Sequence, residues 1–154
     1  MARSLGVPVY ELLGMTDPQP VRCYATGLDL EWFAELGFDA FKLACPWGPN
    51  TSVALDHLVE LLGSTRELVG SSADLMLDCW AVQSVEHAIS IGEAVSAFNL
   101  GWIEDMIYPE DWDGYSQVRS ALSEHRLAAG ERWYTDLPFL RAIEHDWVDV
   151  LQPD

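Results

Sequence analysis

Three carboxylates each close a short apolar run: Asp78 after Leu75-Met76-Leu77, Glu104 after Gly101-Trp102-Ile103, and Glu131 after Ala128-Ala129-Gly130. The gap from the first acid to the second differs by one residue from the gap between the second and the third. Both gaps approach the roughly 30 residues of a strand-helix-strand unit. A chain with that pitch is built of repeated β/α units. If each run is a buried parallel strand, the acids that end them converge on one rim of the sheet, where α/β proteins build their sites. Asp154 ends Val148-Asp149-Val150-Leu151-Gln152-Pro153 in the same manner.

The intervening segments fit this alternation. Val21 to Ala25 is β-prone and leads through a Thr-Gly turn to Asp29, placed to cap a helix from Leu30 to Leu36. Ala40 to Cys45 reads as a second strand, followed by the loop Pro46-Trp47-Gly48-Pro49-Asn50. Leu55, Leu58, Val59 and Leu62 fall at i, i+3, i+4 and i+7, the stripe of an amphipathic helix, with Asp56, His57 and Glu60 opposite. After the strand that ends on Asp78, Val85, Ala88, Ile89 and Val95 mark another helix, stopped by Asn99 and Gly101. Beyond Glu104, Tyr115 to His125 reads as helix, Leu127 to Gly130 as strand, Pro138 to His145 as helix and Val148 to Gln152 as a sixth strand.

Strands that are apolar throughout, rather than at alternate residues, indicate an α/β fold whose parallel sheet is covered by helices. A doubly wound sheet typically carries a Gly-rich phosphate loop after its first strand, and Ala25-Thr26-Gly27-Leu28-Asp29 is not one. A partial (β/α)8 TIM barrel, about six parallel strands alternating with helices, accounts better for the acids, because its strand ends ring a common centre. Eight units commonly need about 250 residues. Two further strands with their helices are therefore expected outside this sequence. Residues 1–20 read as a linker segment and residues 21–154 as the partial barrel.

Lys and Arg number 8 against 25 Asp and Glu, a formal charge of −17. Such a surface repels phosphate backbones and anionic headgroups, so neither nucleic acid nor a membrane is an expected partner. An anionic substrate needs a bound cation or the few basic residues to reverse that field locally. The N-terminus has Arg3 but no apolar stretch of signal-peptide length, and no run approaches membrane-spanning length. Cys23, Cys45 and Cys79 are odd in number and lack zinc-type spacing; they read as buried, reduced thiols of a cytoplasmic protein.

Taken singly, an acid at a strand end is an ordinary helix cap or a solvated loop residue. Three at one pitch behind apolar residues need a common partner to offset their desolvation. Carboxylate oxygens without His or Cys select Mg²⁺ or Mn²⁺ over zinc, with open positions for water or substrate. Lys42 lies inside the second strand between Phe41 and Leu43. It either pairs with Asp39 or another acid, or stands as a cation at the mouth of the site to hold a substrate carboxylate. His57, His87 and His125 fall on expected helices and His145 at a helix end, so all four read as surface residues. Trp47, Trp80 and Trp133 follow strand ends and are placed to wall a pocket, although packing suits most of the seven tryptophans.

At these residues the chain resembles the barrel domain of the enolase superfamily, in its mandelate racemase and muconate lactonising branch. The likeness is carried, in order, by Gly37-Phe38-Asp39-Ala40-Phe41-Lys42-Leu43, Leu75-Met76-Leu77-Asp78-Cys79-Trp80, Trp102-Ile103-Glu104, Gly130-Glu131 and Asp149-Val150-Leu151-Gln152-Pro153-Asp154. It implies Mg²⁺ held by Asp78, Glu104 and Glu131 at the ends of the third, fourth and fifth strands. It also implies a metal-gripped substrate carboxylate, a base that takes the adjacent proton, and an enediolate stabilised by the ion. One subgroup's base is the second lysine of a Lys-x-Lys pair, absent here because Ala44 follows Leu43. The other common base is a His on the seventh strand, oriented by an Asp at the end of the sixth; Asp154 matches that Asp, and its His is expected beyond this sequence.

Trp47-Gly48-Pro49 and Leu77-Asp78-Cys79-Trp80 look most like the rhamnonate-type sugar-acid dehydratases, whose members eliminate water to leave a 2-keto-3-deoxy acid. A His commonly follows the third metal acid there, whereas Arg132 follows Glu131 here. Met1 to Gly14 resembles the segment that joins the family's capping domain to its barrel. The resemblance thus implies a Mg²⁺-dependent aldonate dehydratase acting on a small acid sugar, with the 154-residue chain expected to lack turnover by itself. Open barrel edges are expected to favour homo-oligomers. The alternative is a non-catalytic partial barrel that binds a divalent ion or a partner.

Overall fold

The computed structural model describes residues 1–46, 51–81 and 84–154. The Trp47-Gly48-Pro49 loop and its tryptophan lie outside the described residues. Two short helices, α1 (Ala2–Leu5) and α2 (Val9–Leu12), bury none of their residues. The alternating part follows: β1 (Ala25–Thr26), α3 (Leu30–Glu35), β2 (Ala40–Ala44), α4 (Ser52–Val69), β3 (Asp74–Asp78) and α5 (Val85–Val95). After a 3₁₀ turn at Ser96–Phe98 come β4 (Ile103–Glu104), α6 (Trp112–Ala121), β5 (Leu127–Ala129), α7 (Leu137–Glu144) and β6 (Val150–Leu151).

All five strand pairs are parallel, and the order in the sheet is the order in the chain, β1 to β6. Parallel crossovers are right-handed almost without exception, so a sheet that never reverses its strand order keeps every helix on one face. A doubly wound sheet reverses its order and has helices on both. The sequence therefore lays down three-quarters of a TIM barrel.

Strand alternation then divides the residues. Phe41, Leu43, Leu75, Leu77, Ile103, Leu127 and Ala129 join the core with Leu58 and Leu62 of α4, Ile91 and Val95 of α5, and Val118 of α6. The other face carries Lys42, Met76, Asp78 and Glu104. Caps define the longer helices: Thr51 Oγ1 accepts from the Ala54 amide, Ser84 Oγ from His87, and Asp111 Oδ1 from Gly114. Asp29 occupies the N-cap position of α3 but makes no side-chain cap bond.

Three local expectations change. β1 is confined to Ala25–Thr26, so Cys23 precedes the sheet and is exposed, whereas Cys45 and Cys79 are buried. The sixth helix starts at Trp112 and ends at Ala121, which leaves His125 in a turn, half-buried. His87 is also half-buried, while His57 and His145 are exposed. Among the described residues no helix is long and apolar enough to cross a membrane.

One polar anchor locks the last units together. Asp149 Oδ2 accepts from Arg119 Nη2 at 2.6 Å and from the Leu127 amide at 2.8 Å. Burial opposes ionisation of this carboxyl, but the Arg119 and Leu127 bonds outweigh it and hold it below the ordinary range. A depressed folded-state value adds stability above the unfolded value and loses it as pH falls through the folded one. With the side chain 35% exposed, Asp149→Asn is expected to cost about 1–2 kcal/mol at neutral pH. Urea unfolding of variant and parent should converge in acid.

Candidate metal centre

Asp78 and Glu104 are direct partners in the β3–β4 register, so neighbouring strand ends present two carboxylates side by side. Lys42 pairs with Met76, one pleat below Asp78, on the same face of the sheet. Its long stem carries the ammonium up between the acids. Lys42 Nζ lies 2.6 Å from Glu104 Oε1 and 3.4 Å from Asp78 Oδ2. It is thus paired with the site acids; Asp39 and Asp74 are bound by Arg22 at the opposite strand ends.

Glu104 is 1% exposed, yet none of its charge is left bare. Its second oxygen accepts from Trp102 Nε1 at 2.9 Å and from Gln152 Nε2 at 3.0 Å. Asp78 Oδ1 accepts from the Trp80 amide at 3.1 Å. Burial and the neighbouring Glu104 charge push the Asp78 carboxyl above its ordinary value, against the pull of Lys42. Burial alone lowers the Lys42 ammonium, but the Glu104 bond and the charges of Glu104 and Asp78 outweigh it, so its pKa is raised. Two carboxylates against one ammonium leave a local excess of negative charge, which attracts a further cation.

Glu131 does not join this pair. β5 ends at Ala129, Gly130 turns the chain with a φ of +140°, and Glu131 lies in the loop beyond. There Arg132 Nε donates to Glu131 Oε1 at 3.2 Å and to Asp105 Oδ2 at 3.3 Å. Asp105 is buried, and burial together with the Glu131 charge pushes its carboxyl up to about 7, against Arg132. Asp154 is exposed and makes no side-chain hydrogen bond to the described residues. Trp133 is buried against Tyr115 and Phe139, while Trp80 is 45% exposed.

A hard divalent ion is matched by carboxylate oxygens. Asp78 and Glu104 supply them in adjacent positions, so the donor chemistry suits Mg²⁺. The placement of the third acid does not: among the described residues no three His, Cys, Asp or Glu side chains gather at ligating distance. Sequence reading also passed over Trp102 and Gln152, the donors that orient Glu104. Trp102 was within reach of it, because a residue two before Glu104 shares its face of the strand. Gln152 is distant in sequence, and only the parallel β5–β6 register brings it near.

Sequential parallel strands with paired acids on the C-terminal rim define a β/α barrel of the kind that builds its site from strand ends. The chain belongs to the enolase C-terminal domain-like family, whose model matches residues 29–154. It is similar to L-rhamnonate dehydratase from Gibberella zeae, with a TM-score of 0.89 and 28% identity over 99% of this chain and 39% of that one. For rhamnonate dehydratase from Gibberella zeae complexed with Mg, the TM-score is 0.87 and the identity 30%, over 96% of this chain and 36% of the other. A racemase from Streptomyces coelicolor A3(2) with bound magnesium gives 0.81 and 30%, over 96% and 42%. The chain thus spans less than half the length of each.

Proposed function

We propose that the chain is the metal-bearing part of a Mg²⁺-dependent sugar-acid dehydratase of this family. The observation that carries the proposal is the Asp78-Lys42-Glu104 cluster on adjacent strand ends, in a chain 30% identical to a rhamnonate dehydratase complexed with Mg. Asp78 and Glu104 would hold the ion, with Glu131 as third ligand once it leaves Arg132. The ion, when bound, supplies a Lewis acid for a substrate carboxylate and for the negative charge left by proton loss. Trp102 and Gln152 fix the orientation of Glu104, and Lys42 offers its ammonium to the same substrate carboxylate. A base, oriented by Asp154, would take the proton beside that carboxylate, and the hydroxide expelled from the next carbon would take up a proton to leave as water. The resulting enol becomes a 2-keto-3-deoxy acid.

Asp154 is assigned the orienting place in a His-Asp dyad. None of the four histidines hydrogen-bonds a strand-end acid among the described residues, and Lys42 is held as an ammonium. The 154-residue chain is therefore proposed to bind the ion without turning substrate over. A reducing compartment such as the cytoplasm is proposed, one in which Cys23, Cys45 and Cys79 rest as free thiols. β1 and β6 are the sheet edges, and exposed Trp32 and Leu36 beside one, with Leu140 and Ile143 beside the other, suit self-association.

Thermal melting with Mg²⁺ and a panel of aldonic acids tests the proposal, with sedimentation reporting association. The expected result is a rise with Mg²⁺ and a further rise with at least one aldonic acid, both lost in Asp78→Ala. A response to Mg²⁺ but to no acid sugar favours a non-catalytic, ion-binding or partner-binding barrel. Sustained formation of a 2-keto-3-deoxy acid by this chain alone overturns the claim that it does not turn over.

A further inference from the structure

The geometry points to Cys45 and Cys79 as a cross-strand dithiol that hydrogen peroxide closes to a disulfide and a thiol reductant reopens, weakening the metal site while it is closed. The effect on the metal rests on the reading of Asp78 and Glu104 as the ion's ligands; the disulfide itself does not. Ala44 is the register partner of Asp78, and the ladder runs one residue further, because the Cys45 amide donates to the Asp78 carbonyl at 2.7 Å. Cys45 therefore lies opposite Cys79. Paired strands run about 4.8 Å apart, inside the range of roughly 4.4–6.8 Å that the Cα atoms of a disulfide span. Strand alternation puts Cys45 on the face of Leu43 and Cys79 on that of Leu77, and all four belong to the core under the helices. The two thiols meet there, each being the other's strongest electrostatic partner.

Burial by itself makes a thiol inert, but this pair sits just past the ends of β2 and β3 and has a cavity beside it. A space of about 10 Å³, lined in part by Cys45, Leu58, His87 and Ile91, has the room of one water-sized molecule. Hydrogen peroxide is little larger than water. Partial burial lowers the pKa of His87, so at neutral pH it offers a free imidazole on the wall it shares with Cys45. The Cys45 sulfur attacks one peroxide oxygen, the O–O bond breaks, and the departing hydroxide takes the thiol proton by way of His87 and leaves as water. The Cys79 sulfur then attacks the sulfenic sulfur of Cys45, the S–O bond breaks, and hydroxide leaves with the Cys79 proton as a second water. Peroxide gains the two electrons that the sulfurs lose. Such a bond is transient in a reducing compartment, where the thiol pool returns both cysteines to their resting state. Cys79 follows Asp78 in the chain, and its amide donates to the Glu104 carbonyl at 2.8 Å. Drawing its sulfur toward Cys45 therefore pulls on both strand ends that carry the metal acids.

Peptide mapping by mass spectrometry tests the linkage, on the whole chain carrying Cys23→Ser to remove the exposed thiol. After hydrogen peroxide at a dose that leaves the circular dichroism unchanged, the Cys45 and Cys79 peptides should be joined, and dithiothreitol should part them. Calorimetry without substrate should show Mg²⁺ affinity about tenfold lower in the oxidised chain, restored by reduction. Peroxide that leaves both thiols open to alkylation in urea, or that carries Cys45 to the sulfinic acid with no linkage, overturns the dithiol. A Cys45→Ala variant in which Cys79 is oxidised as fast as before overturns it as well; should that variant not fold, the map of the Cys23→Ser chain decides alone. Equal Mg²⁺ affinity before and after linkage overturns the coupling to the metal site. Absence of Mg²⁺ binding by the reduced chain instead overturns the metal-site reading, and the dithiol is then judged by the peptide map.

Discussion

Replacing Glu104 by alanine will destabilise the chain by about 3–5 kcal/mol, the cost of leaving a buried charge without its partner. Glu104 is 1% exposed and Lys42 9%, so the stranded ammonium gains little from water. Asp78, at 3.4 Å, is a poorer partner, and the Trp102 indole and Gln152 amide lose their acceptor as well. In a domain of this size the loss corresponds to a fall of roughly 10 °C or more in Tm. The double variant Glu104→Leu with Lys42→Met removes both charges and should recover most of that loss, because apolar replacement of a whole buried pair is often neutral. Urea unfolding of the three proteins reads the difference directly. Equal stabilities for Glu104→Ala and the parent would mean that the pair is solvated and that the burial argument for the site is wrong.

The second large effect is expected at Gly130. Its φ of +140° is a conformation that a side chain rarely adopts, and an added Cβ would stand 2.9 Å from both the Gln152 amide nitrogen and Phe139 Cε1. The Gln152 amide donates to the Ala129 carbonyl at 3.0 Å, so the obstacle is ladder backbone, which cannot yield. Gly130→Val combines backbone strain with overpacking and should cost roughly 3 kcal/mol or more. It should also move Gln152 off Glu104, coupling the loss of stability to the site. The expected readout is a lower urea midpoint together with weaker Mg²⁺ binding than in a surface control.

The repeating architecture was readable because each unit carries its own signals. Asp78, Glu104 and the apolar residues before them marked strands, and the stripe at Leu55, Leu58 and Leu62 marked α4. Boundaries were less readable where pairing, rather than residue type, decides them. Val21 is β-prone, yet it is 83% exposed and lies outside the two residues of β1 that pair with β2. His125 follows a helical pattern on paper, but Arg119 reaches its carbonyl at 3.3 Å and the chain has already left α6. Periodicity reports what a helix would bury and not where one of its own side chains will reach forward to intercept the backbone.

The site divides along the same line. Asp78, Glu104 and Lys42 stood out as charged residues next to purely apolar strands, and the fold brings them into contact. Glu131 met the same spacing rule, but its direction is set by Gly130 and by Arg132, whose Nε bridges it to Asp105. No spacing rule foretells that capture, because it depends on the turn after β5 and on a buried acid from β4's end. Gln152 was silent for a different reason. It is uncharged, and it reaches the cluster only through strand pairing and closure of the sheet's inner face.

The central claim is that Asp78 and Glu104 form a divalent-cation site, and its most direct test is the stoichiometry of Mg²⁺ binding. Calorimetry on the parent chain, beside Asp78→Asn and Glu104→Gln, should give one ion per parent chain and no measurable binding in either variant. Circular dichroism should show both variants folded. No binding to the parent, or one ion bound equally well by Asp78→Asn, would contradict the account.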